Sequence, residues 1–139
     1  MLYRLFRAAG RALSPFFLDI VNIVEVKMTK IEKHVRGELC TIGVADSFID
    51  VLYLFHALDR INKWNITREM VAETLIFPQE VTIGHRNRYI AHRKYESHVV
   101  RAVYEYERKL PVLVTTYFPN AKRYFKGGGI YEDKIFQGS

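Results

Sequence analysis

Residues 46–63 read DSFIDVLYLFHALDRINK, and the fold class turns on what this stretch becomes. Its apolar side chains leave only a thin polar line around a helical circumference, the pattern of a helix packed between neighbours rather than lying on a surface. We read it as the central helix of the protein. Upstream, Ser14-Pro15 resembles a helix start, with Ser14 as N-cap and Pro15 at the first helical position. Phe17, Ile20, Val21, Val24, Met28, Ile31 and Val35 then recur at steps of three and four. Asp19, Asn22, Lys27, Lys30 and Lys33 fall on the other side, and Gly37 ends the pattern. Downstream, Asn65 to Thr67 supplies a turn and an N-cap for a shorter helix running to Phe77, where Pro78 stops it.

Beyond Gly84 a helical spacing resumes through Val99, Val103, Tyr106 and Leu110 as far as Pro111. Pro119-Asn120 marks a turn, and Gly127-Gly128-Gly129 forms a hinge before a tail carrying Ile130, Tyr131, Ile135 and Phe136. Period-two alternation is scarce and no internal repeat is present. The expected class is therefore all-α, a bundle of four or five helices burying Phe17, Ile20, Val24, Ile31, Leu52, Phe55 and Leu58. The expected organisation is one helical domain over 1–126, opened by an amphipathic helix at 1–13, with a tail at 127–139.

With 139 residues and 49% hydrophobic content the chain can close one core but not two. Lys and Arg exceed Asp and Glu by 21 to 15, a net charge of +6 that favours polyanionic partners. Cys40 is the single cysteine, which excludes an internal disulfide and points to the reducing cytoplasm. The Asn65-Ile66-Thr67 sequon is then accidental. No apolar run approaches the length of a membrane span. In the N-terminal stretch, Arg4, Arg7 and Arg11 alternate with Leu2, Leu5, Phe6 and Leu13, which suits a docking helix, with a membrane-surface anchor as the alternative.

The densest chemistry lies in His85-Arg86-Asn87-Arg88-Tyr89-Ile90-Ala91-His92-Arg93-Lys94, which holds four cationic side chains, two imidazoles and no acid. A solvated cationic face would explain the charge but not the missing acids. Arg86, Asn87 and His92 resemble the motif of the HEPN family, an Arg followed by a polar residue and, after four to six intervening positions, a His. The wording HRNRYIAHR is especially similar to HEPN proteins of the phage-abortive-infection type. The resemblance implies a helical bundle and metal-independent RNA cleavage, with two motifs facing each other across a homodimer groove. It also implies a toxin or phage-defence effector with a cognate antitoxin or regulatory protein.

On this reading Arg86, Asn87 and His92 are the catalytic candidates. RNA carries its own nucleophile, the 2′-OH, so the protein need only orient it, move a proton and stabilise the growing phosphate charge. His92 has a suitable ordinary pKa for proton exchange, and Arg86 can clamp phosphate oxygens bidentately. Asn87 would orient His92 or the ribose. His85, Arg88, Arg93, Lys94 and Tyr89 are the candidate RNA contacts, with Tyr89 also able to pack internally. In an unbroken helix Arg86 and His92 stand about 120° apart while Arg88 shares the face of His92; a helix starting after Arg86, or pairing across a dimer, would restore Arg86.

No metal or cofactor is expected. The remaining histidines lack ligand partners at usual spacing, and there is no phosphate loop, dinucleotide fingerprint or nucleophile elbow. The alternatives are a non-catalytic HEPN RNA-binding or protein-interaction module, and a membrane-surface scaffold protein.

Overall fold

A computed structural model describes residues 25–124. The N-terminal amphipathic helix, the helix start at Ser14-Pro15, the expected burial of Phe17, Ile20 and Val24, and the tail over 127–139 lie outside these residues. The described chain runs β1 (Val26–His34), β2 (Gly37–Val44), β3 (Ser47–Leu54), α1 (Phe55–Trp64), α2 (Arg68–Ile76), β4 (Glu80–Ile83), a 3-10 turn (His85–Asn87), β5 (Tyr89–Tyr95), β6 (His98–Glu107), β7 (Leu110–Tyr117) and α3 (Ala121–Tyr124). The seven strands form one mixed sheet in the order β1-β2-β3-β7-β6-β5-β4. The expected all-α bundle of four or five helices, and with it the helical domain implied by the HEPN resemblance, is overturned.

The deciding stretch divides in two. Ser47–Leu54 is a strand and only Phe55–Trp64 is helical. Val51, Leu52 and Tyr53 are successive and all buried, because β3 lies inside the sheet, antiparallel to β2 and parallel to β7, with both faces covered. A strand covered on both faces is as uniformly apolar as a buried helix, so periodicity alone cannot separate them. Of the residues expected in the core, Leu52 is buried and Leu58 partly so, whereas Phe55 is 60% and Ile31 47% exposed. The expected last helix through Val99, Val103, Tyr106 and Leu110 is the β6–β7 hairpin.

Two antiparallel meanders, β1-β2-β3 and β4-β5-β6-β7, are joined by the helices and meet where β3 pairs with β7. The shorter helix is where its caps place it. Thr67 accepts a hydrogen bond from the Met70 amide at 3.0 Å, and left-handed Asn65 ends α1. α2 packs on β6 and β5 and also on β1, so the sheet curls around it. Tyr53, Val71, Leu75, Ile76, Val81, Tyr104 and Leu113 fill this inner side. Cys40 is part of it, and burial pushes its thiol up to about 11, which keeps it a neutral core side chain. The tip of the β1–β2 hairpin is tied to the β6–β7 hairpin by Arg36, whose two guanidinium nitrogens each reach Glu107 at 2.7 Å. Among the described residues no helix is long and apolar enough to cross a membrane.

Candidate functional site

Strand alternation sorts the basic segment onto two faces of the sheet. Tyr89, Ala91, Arg93 and Tyr95 of β5 point inward to the helices. Arg93 donates to the Phe77 carbonyl at 2.8 Å and lies beside Glu73, whose carboxylate also accepts from the Tyr95 hydroxyl. Tyr89 stacks on Tyr104 with ring centroids 5.5 Å apart. Arg93 and Tyr89, two of the expected RNA contacts, are thus spent on the interior. Ile90, His92 and Lys94 point to the opposite, outer face.

On that outer face cross-strand pairing builds two adjacent rows. Glu80, His92, Arg101 and Tyr117 stand opposite one another across β4, β5, β6 and β7, and Thr82, Ile90, Val103 and Thr115 form the next row. The turn over 84–88 rises at the end of β4 and β5 and closes the second row from one side. Together they bound an open cavity of about 700 Å³ lined by Gly84, His85, Arg86, Arg88, Ile90, Arg101, Val103, Thr115 and Tyr117. Among the described residues that line it, the floor is apolar, the walls carry three guanidinium groups and an imidazole, and none is a carboxylate.

The turn sets the positions of His85 and Arg86. The Arg88 amide bonds the His85 carbonyl at 3.2 Å, while Arg86 (φ 61, ψ 33) and Asn87 (φ 59) are both left-handed. Two successive left-handed residues are what a type I′ turn requires, and they normally read Asn-Gly. Asn tolerates this conformation; Arg does not favour it. Asn87 is exposed and does not line the cavity, so the turn accounts for it without a role at His92. Arg86 lines the cavity and, among the described residues, makes no salt bridge or hydrogen bond to a side chain. Arg88 is partly neutralised, its Nε donating to Glu105 at 2.8 Å.

His92 is 3% exposed, beneath the cavity rather than in its lining. Nδ1 lies 2.6 Å from Glu80 Oε2, and Nε2 lies 2.9 Å from Arg101 Nη1. A guanidinium can only donate, so Nε2 must be the acceptor and the ring proton sits on Nδ1, donated to Glu80. Burial lowers the pKa of the ring, Arg101 adds to that, and the Glu80 hydrogen bond opposes both. The net direction keeps His92 neutral at neutral pH. Arg101 also lies over the Tyr124 ring, 4.2 Å from its centroid, so neither of these neighbours neutralises it. Thr115 Oγ1 on the floor is buried without a hydrogen-bond partner.

The structure thus brings His85, Arg86 and Arg88 of the sequence candidates to one cavity, places His92 one layer below, and leaves Asn87, Arg93, Tyr89 and Lys94 outside the lining. Arg101, Thr115 and Tyr117 were missed in the sequence, since they join the basic segment only through the pairing of β5, β6 and β7. A period-two reading of Val99, Arg101 and Val103 would have been the available signal. Among the described residues no three His, Cys, Asp or Glu side chains gather as a metal site. In comparisons with family models, curated proteins and solved structures, nothing matched the chain.

Proposed function

We propose that this protein binds single-stranded RNA in the outer cavity and cleaves it without a metal ion, using the substrate's own 2′-OH. The observation that carries the reading is the clustering of Arg86, Arg88 and Arg101 around an apolar floor with His85 at the rim, with no carboxylate among the described lining residues. Guanidinium groups clamp phosphate oxygens bidentately and keep their charge at any working pH. Ile90 and Val103 offer an apolar surface on which a base can lie, and the unpartnered Thr115 hydroxyl marks a polar need beside it.

In the reaction the 2′-oxygen attacks phosphorus and the P–O5′ bond breaks. The 2′ proton passes to His85, and O5′ takes a proton from the resulting imidazolium or from water. The products are a 2′,3′-cyclic phosphate and a 5′-hydroxyl. Arg86 and Arg101 stabilise the charge that grows on the phosphoryl oxygens. His92 is not the proton carrier in this scheme, because both of its ring nitrogens are engaged. One chain supplies all of these groups, so the cleft does not need two copies to compose it.

The test is incubation of the full chain with RNA and with its all-deoxy counterpart, in excess EDTA, followed by mapping of the ends. Cleavage of RNA alone with cyclic phosphate ends, reduced about 100-fold or more in His85→Ala and Arg86→Ala, is the expected result. RNA that is bound but left intact would reduce the reading to an RNA-binding module. Cleavage that requires added magnesium, or no binding of RNA, would overturn it.

A further inference from the structure

We propose that His92 is a positioning residue which, fixed by Glu80 with its proton on Nδ1, holds Arg101 by Nε2 and aims that guanidinium at the RNA phosphate. The inference rests on the RNA reading of the cavity but adds to it a layer that does not touch the substrate. Three observations converge on it. Glu80, His92 and Arg101 stand opposite one another on adjacent strands, so backbone pairing sets their spacing. The distances of 2.6 Å and 2.9 Å make a continuous hydrogen-bonded chain from a buried carboxylate to a cavity wall. Glu80 and His92 are 2% and 3% exposed, so the inner part of the chain is held by packing, whereas Arg101 lines the cavity.

The charged group at the far end is therefore not free to wander, as an exposed arginine would be. A side chain already ordered before RNA arrives loses less rotamer freedom on binding. The Tyr124 ring supports the other side of the guanidinium.

The same chain makes the cavity sensitive to acid. Among the described residues the groups facing His92 are Glu80 on β4 and Arg101 on β6, while Tyr117 on β7 and Tyr124 on α3 reach it through Arg101. Protonation of the ring converts Nε2 from acceptor to donor and sets a second positive charge against Arg101. The hydrogen bond is then lost and the guanidinium is repelled. Because the ring's pKa lies below the ordinary histidine value of 6.5, this happens on the acid side and leaves neutral pH unaffected.

The experiment uses the full chain in two arms. In the first, nitrogen-detected NMR of the imidazole in the free protein reports the tautomer and titration of His92. An Nδ1–H neutral ring at pH 7, whose pKa rises in Arg101→Gln, is expected. An Nε2–H tautomer or a charged ring at that pH overturns the proposal. In the second, affinity for an oligoribonucleotide is measured against pH. His92→Ala weakens binding about tenfold, and adds nothing further in the Arg101→Gln background. His92→Gln, which supplies both an acceptor for Arg101 and a donor for Glu80, restores neutral-pH binding and removes the acid loss seen in wild type.

The two proteins differ only at position 92, so the difference between their pH curves isolates that position. A His92→Gln curve with the wild-type acid loss, or a further drop on adding His92→Ala to Arg101→Gln, overturns the proposal. Should His92→Ala not fold, the His92→Gln curve decides. If wild type binds no RNA at neutral pH, the RNA reading fails, and the NMR arm alone decides whether His92 holds Arg101.

Discussion

Arg86 sits where the backbone favours Asn or Gly. Its φ of 61 and ψ of 33 place a long, charged side chain in the left-handed region at a cost of about 1–2 kcal/mol. No contact among the described residues repays this, because Arg86 bonds none of their side chains and faces the cavity. The cost is explained if the guanidinium is needed there. Arg86→Asn is therefore expected to raise stability by about 1 kcal/mol, seen as a melting temperature higher by several degrees. It should also weaken RNA binding and lower the slope of log affinity against log salt by about 1. Asn87→Gly, which completes the Asn-Gly-like turn without touching the cavity, should keep RNA binding. A variant at Arg86 that loses both stability and binding would show that the arginine serves the turn.

At the scale of elements, the sheet is held by hairpins whose turns lack the usual residues. Between Val44 and Ser47, Tyr95 and His98, and Glu107 and Leu110 the chain reverses in two residues, and the first of each pair has positive φ: Ala45, Glu96 and Arg108. Gly or Asn is the common choice at such places. The β1–β2 hairpin instead depends on Gly37 at a close backbone approach, since a Cβ there would lie 1.9 Å from the Tyr53 carbonyl oxygen. That oxygen belongs to β3 and cannot move without parting β2 from β3. Gly37→Ala should cost about 3 kcal/mol or more, read from the denaturation midpoint with the slope unchanged. A loss under about 0.5 kcal/mol would contradict the packing described for this strand pair.

For the molecule as a whole, the buried Glu80–His92 pair couples stability to pH. The folded-state pKa of His92 is lower than the ordinary value of 6.5, so between the two the unfolded chain binds more protons and stability rises with pH. The contribution is fully present above about 6.5 and is lost as pH falls through the folded value. Arg36 likewise holds the Glu107 carboxyl below its ordinary value of 4.5 through their hydrogen bond, with a contribution lost only at lower pH and kept small by full exposure. Thermal melts between pH 5 and pH 7 should show wild type losing stability towards acid and His92→Gln losing less. Parallel curves for the two proteins would place the acid sensitivity elsewhere.

Sequence alone determined the content of the site better than its shape. The acid-free basic run from His85 to Lys94 was legible because charge and composition do not depend on how strands pair, and four of its residues, His85, Arg86, Arg88 and Ile90, line the cavity. The limits of α2, capped by Thr67 at its start and ending at Phe77 before Pro78, were legible because capping and the proline stop are local chemistry within one turn of chain. The class of the fold was not. A strand buried on both faces has no polar stripe to betray its period, and two-residue turns built on Ala45, Glu96 and Arg108 carry no Gly to announce a hairpin. Only the tertiary structure decided which side of β5 each cation faces and that Arg101 and Thr115, on other strands, complete the cavity. It also decided that His92 lies beneath the wall as a neutral link. The physical reason is that alternation and strand register, non-local properties of the paired sheet, assign side chains to faces.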